Sequence, residues 1–137
     1  MSTILSQTSD ADATPERAGA LCDQVITAIK ALRDHCHRES VCAGWHDTAR
    51  EDGTLIALIH SELSEALEGV RRNSMDEHLP HRPAVEVELA DAVIRIMDYC
   101  GLRSLDIAGA ISEKVAYNRE RADHKRSARA APGGKAF

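Results

Sequence analysis

The chain has 137 residues and a formal charge of −5, with 43% hydrophobic, 28% charged and only 3% aromatic residues. This is one domain's worth of sequence, too apolar to stay disordered and without the broad basic face that direct nucleic-acid binding demands. No apolar run approaches the length of a membrane span and the N-terminus lacks the basic and apolar segments of a secretory signal, so no membrane contact and a reducing, cytoplasmic location are expected.

Residues 1–13 are polar and predict a disordered segment, ahead of a single domain over 14–125 and a flexible basic tail over 126–137. Thr14-Pro15 reads as a helix cap followed by proline at the first helical position. Ala18, Leu21, Cys22, Val25, Ile29 and Leu32 then recur at three- and four-residue spacing, predicting a first helix to about His37. Residues 38–53 have no periodicity and read as a loop.

A second helix is predicted from Thr54 to about Asn73, with Leu55, Ile59, Leu63, Ala66 and Val70 on one face. Pro80 and Pro83 break the chain before a third helix that ends at Gly101. Its inner face is Val85, Leu89, Val93, Ile96 and Cys100, and Val87, Ala90, Ile94 and Met97 extend the apolar surface nearly all round, which marks it as the centre of the fold. A fourth helix is predicted from Ser104, packing through Ile107, Ile111 and Val115. Four helices with short connections imply an all-α, antiparallel four-helix bundle-like fold. Cys22, Cys36, Cys42 and Cys100 show no paired spacing.

Acids interrupt this pattern. Glu62 falls on the second helix between Leu58 and Ala66, where a hydrophobe is expected, and Glu65 is its neighbour across one turn. Glu68 points the other way, into solvent. On the third helix the apolar surface is broken by a narrow stripe of Glu88, Asp91, Arg95 and Asp98. A buried, uncompensated carboxylate costs several kcal/mol or takes up a proton. Two acidic pairs on helices joined by one reversal can meet, and an ion between them relieves their repulsion. Oxygen-only ligands suit Mg²⁺, and the absence of histidine from both pairs argues against zinc and against a di-iron bundle. A solvated face of salt bridges is the simpler reading of either pair alone; the combination is what points to a metal.

On the fourth helix Lys114, Asn118 and Arg121 share a face that could hold phosphate oxygens, with Arg95 as a further candidate. Trp45 and His46, in the loop before the acidic helix, are candidates for contact with a base.

From Leu58 to Arg121 the chain resembles the MazG-like family of all-α nucleoside triphosphate pyrophosphatases. The resemblance is carried by E62-L-S-E65, E88-L-A-D91 and K114-V-A-Y-N118-R119-E120-R121, in that order. More weakly, it resembles the phage MazZ subgroup acting on (d)GTP, which would place the protein in a host cytoplasm. The resemblance implies cleavage of a nucleoside triphosphate between the α- and β-phosphates, to monophosphate and pyrophosphate. It implies two or three Mg²⁺ ions per site, Mn²⁺ substituting, on Glu62, Glu65, Glu88 and Asp91, with Lys114 and Asn118 on the phosphates. It also implies a homodimer or homotetramer whose neighbouring subunit walls the site. Three alternatives stay open: the same chemistry on dUTP, dCTP, an oxidised nucleotide or phosphoribosyl-ATP; a zinc module of His35, Cys36, His37, Cys42 and His46; and a non-catalytic helical interaction protein.

Overall fold

The structure, a computed structural model, describes residues 15–133, with side chains from 22 onward; the segment 1–13, the Thr14 cap and residues 134–137 lie outside that range. The described chain is all-α. Helix α1 spans Pro15–Cys42, α2 Asp52–Arg72, α3 Ala84–Leu102 and α4 Ile107–Glu120; a 3₁₀ turn at Ala122–His124 and a short helix α5, Arg126–Ala130, follow. Among the described residues the only extended pairing is an isolated bridge between Met75 and Pro83. No described helix is long and apolar enough to cross a membrane.

The helix ends explain where the expected boundaries shift. Helix α1 runs past His37 to Cys42 because nothing between them breaks a helix, and it stops where Gly44 adopts φ +77°, a conformation that costs glycine nothing. Helix α2 closes on Asn73 at φ +50°, with the Asn73 and Ser74 amides donating back to the carbonyls of Val70 and Gly69. Helix α4 begins at Ile107 rather than Ser104, since Ser104 lies at φ +52° and the Asp106 side chain caps the helix by accepting from the Gly109 amide. Residues 126–130, expected to be flexible tail, form α5, which is exposed throughout.

Helix α3 packs against both α1 and α2, as its apolar surface predicted. The facing residues are smaller than the pattern suggested. On α2 the buried row is Ile59, Glu62, Ala66 and Gly69, while Leu63 and Val70 are 45% and 59% exposed. On α3 it is Ala92, Met97 and Cys100, with Leu89 and Val93 left exposed. The reason is close approach. A Cβ on Gly69 would stand 3.0 Å from the Val85 nitrogen, so the helices meet along small residues and the large ones turn outward. Helix α4 follows the same rule: Ala108 is buried, whereas Ile111 and Val115 are exposed.

Long-range contacts step down α1 as they step up through α3 and α4. His37 meets Asp98, Arg33 donates to the Leu105 carbonyl, and Cys22 pairs with Ser112. The long first helix therefore carries α3 and α4 one after the other along its length. Helix α4 lies beyond the C-terminal end of α3, not beside α2.

Candidate functional site

The acid-bearing faces of α2 and α3 meet. Glu62 is 6% exposed, the one buried charged residue among those described, in the middle of the row that α2 presses against α3. Spacing of three residues along α2 brings Glu65 to its side, and Glu88 faces both from the first half of α3. One carboxylate oxygen from each of Glu62, Glu65 and Glu88 lies within 4.8 Å of the others. Asp91, one turn on, falls outside that trio. It lines a cavity of about 230 Å³ next to it.

Two carboxyl groups register the crowding. Glu88 is held above the ordinary carboxylate range, first by desolvation and then by the charges of Glu65, Glu62 and Asp91, with a hydrogen bond to Glu62 adding to the shift. Asp91 is also raised, by desolvation and by Glu62, with Arg95 opposing and Asp76 adding to the effect. The region thus carries more negative charge than its neighbours neutralise. One cation does reach it. Arg95 Nε donates to Glu62 Oε1 at 2.6 Å, one turn beyond Asp91. Where the acidic pattern pointed to an ion, a guanidinium from the same chain thus compensates the buried Glu62.

The cavity continues from Asp91 and Arg95 along α3 to Asp98 and Tyr99. Leu55 and Leu58 of α2 form its apolar side and Trp45, His46 and Arg50 its loop side. Trp45 is 54% exposed, with the Arg50 guanidinium 5.5 Å from its ring centroid. The structure thus brings both loop candidates for base contact, Trp45 and His46, to the cavity that Asp91 and Asp98 also line. Arg50 went unnoticed, as did Asp76, whose carboxylate accepts from the His78 and Leu79 amides in the connection between α2 and α3 and acts electrostatically on Asp91. An acid in a turn has no periodic position to violate, so its sequence carries no signal.

The fourth-helix trio does not join the acids within one chain. Glu88 stands fourteen residues before the end of α3, about 21 Å at helical rise, and α4 leads away from that end. Lys114 Nζ sits 4.8 Å from the Tyr117 ring centroid, and Arg121 is paired with Asp123. The Asn118 Oδ1 is buried without a hydrogen-bond partner.

The histidines and cysteines near the end of α1 also assemble differently from the zinc module considered above. His37 and His46 both turn to Asp98, 2.8 Å from the same Oδ1 atom, while Cys36 is buried and Cys42 exposed, both as free thiols. No protein-family model, curated protein or solved structure matches the chain.

Proposed function

We propose that the protein is a Mg²⁺-dependent pyrophosphohydrolase of the MazG-like kind, converting a nucleoside triphosphate and water to a nucleoside monophosphate and pyrophosphate. The observation that carries this reading is a buried Glu62 within ligand distance of Glu65 and Glu88, beside a cavity bearing an indole and two guanidinium groups. The donor set fits the ion: oxygen ligands only, on two rigid helices, under mutual repulsion that a divalent cation would relieve. Glu62, Glu65 and Glu88 would hold it, with Asp91 at the cavity edge as a further ligand. When bound, Mg²⁺ supplies neutralisation of the triphosphate and activation of water.

The chain's own residues do the rest. Arg95, released from Glu62 when metal compensates that acid, is placed to donate to phosphate oxygens at the cavity mouth. Leu55, Leu58 and Trp45 provide an apolar surface of the kind a nucleobase buries against. A guanine nucleotide is our first choice of substrate, on the resemblance to the MazZ subgroup.

We also propose that the working form is a homodimer or homotetramer. Leu63, Leu67, Val70, Leu89 and Val93 are all exposed by two-fifths or more on α2 and α3, where a second copy would cover them and complete a four-helix arrangement. Lys114 and Asn118 could contact phosphate only from such a neighbour.

The test is one incubation series with each common NTP and dNTP plus Mg²⁺, separating pyrophosphate from orthophosphate. Pyrophosphate with the matching monophosphate is expected; orthophosphate with accumulating diphosphate, or no turnover of any nucleotide, refutes the reading. Glu62→Gln and Asp91→Asn should each abolish turnover with helicity unchanged.

A further inference from the structure

The cluster of His37, His46 and Asp98 is not among the groups assigned to Mg²⁺ or phosphate in the proposed hydrolysis, and its chemistry differs from that of the acids. It draws on three separate elements: the last turns of α1, the loop before α2, and the second half of α3. His37 Nδ1 and His46 Nε2 each stand 2.8 Å from Asp98 Oδ1, the ring centroids are 5.3 Å apart, and the three side chains are 28%, 19% and 17% exposed.

Local backbone builds this convergence. Gly44 at φ +77° ends α1, and hydrogen bonds from the Trp45 amide to the Ser40 carbonyl and from the Asp47 amide to the Gly44 carbonyl fold the loop back over the helix end. That fold returns His46 to His37. On the other side, a Cβ on Gly101 would stand 2.5 Å from the His37 Cβ, so the missing side chain lets His37 lie down on α3.

We propose that His37, His46 and Asp98 form a second metal site, for a zinc-class transition ion, distinct from the carboxylate site. Two imidazole nitrogens and one carboxylate oxygen are the ligand set of borderline divalent ions such as Zn²⁺ and Co²⁺, whereas Mg²⁺ prefers oxygen alone. An ion about 2.0–2.1 Å from each donor, in tetrahedral geometry, spaces the donors by about 3.3 Å. The 2.8 Å separations must therefore open by roughly 0.5 Å each, a side-chain adjustment, and the three donor atoms already lie within 4.8 Å of one another. Three protein ligands leave a coordination position free. His46 and Asp98 line the 230 Å³ cavity, so that position faces it and would accept an anionic or nitrogen-donor group from whatever the cavity holds. The ion would also pin the Trp45 loop to α3.

The experiment is a Co²⁺ titration of the chelator-stripped full chain without nucleotide, read by visible absorption and repeated with Zn²⁺ as competitor. The expected result is one equivalent of Co²⁺ with the intense visible bands of a low-coordinate, imidazole-containing site, bleached by Zn²⁺. Only the weak absorption of an octahedral, all-oxygen site, or no stoichiometric uptake, overturns the proposal on the wild-type protein alone. His46→Gln, in a loop and therefore mild for the fold, and Asp98→Asn should each weaken uptake by more than about tenfold, while Glu88→Gln retains it. Uptake lost in Glu88→Gln and kept in His46→Gln would assign the ion to the carboxylates and refute the second site. Because no nucleotide is present, the result is independent of whether the chain hydrolyses one.

Discussion

Arg95 offers the sharpest test of the site's electrostatics. Replacing it with Met keeps the aliphatic stem and removes the guanidinium paired with Glu62. Glu62, 6% exposed in the wild type, is then left without that compensation. Stripping one partner from a fully buried pair costs about 3–5 kcal/mol, whereas an exposed pair contributes less than about 1 kcal/mol. The Arg95 side chain is 37% exposed and that of Glu62 8%, so the pair falls between these limits. About 2 kcal/mol is the reasonable figure, which lowers the melting temperature by roughly 8 °C for a domain of this size. The distinctive part is the response to metal. If the proposed metal binds there, a divalent ion on Glu62 would do Arg95's work, and at a hundredfold excess over its dissociation constant it would add about 2.7 kcal/mol. Mg²⁺ should therefore restore the Arg95→Met protein almost to the wild-type melting temperature, while raising the wild type less, since there the ion must displace the guanidinium. Thermal unfolding followed by circular dichroism, at one protein concentration, in EDTA and in Mg²⁺, makes the comparison. If Arg95→Met melts within about a degree of wild type in EDTA, or if Mg²⁺ raises both proteins equally, the role given to Arg95 is wrong.

Three further outcomes are expected. Glu88 and Asp91 both titrate above their ordinary values of 4.5 and 3.8, so between those values and the raised ones the folded chain holds protons that the unfolded chain has released. Metal-free stability should consequently fall as pH rises through that window and level off above it. Glu88→Gln should flatten the slope in urea titrations, and an unchanged slope would refute the assignment. Gly101→Ala, usually favourable inside a helix, should instead lower the melting temperature by several degrees, because its methyl would overlap His37; a rise would show that the α1–α3 contact is looser than described. If the proposed oligomer forms through this face, Leu67→Glu together with Leu89→Glu, at exposed apolar positions, should shift the sedimentation of the protein to a lower mass while preserving helicity; an unchanged mass would refute this face as a subunit contact.

The pattern of apolar residues determined by itself that the chain is helical, that α3 is central, and that Glu62 occupies a position meant for a hydrophobe. Periodicity is local physics: a residue's side of a helix follows from counting, and an acid on the wrong side is visible without coordinates. Burial within a face was not legible in the same way. Leu63, Val70, Leu89 and Val93 were expected on the packing faces but are exposed, and Ala66, Gly69 and Ala92 make the contact, because helices that pack closely do so through their smallest side chains.

Tertiary structure alone decided the partners. Asp98 stood on the acidic stripe with nothing to distinguish it, and only the glycine turn at Gly44 and the closeness allowed by Gly101 bring two histidines, nine positions apart in the chain, onto one of its oxygens. The separation of Lys114 and Asn118 from the acids has the same origin. Spacing along a helix fixes which residues share a face, but where α4 goes after α3 depends on the length of α1, to which both are bound.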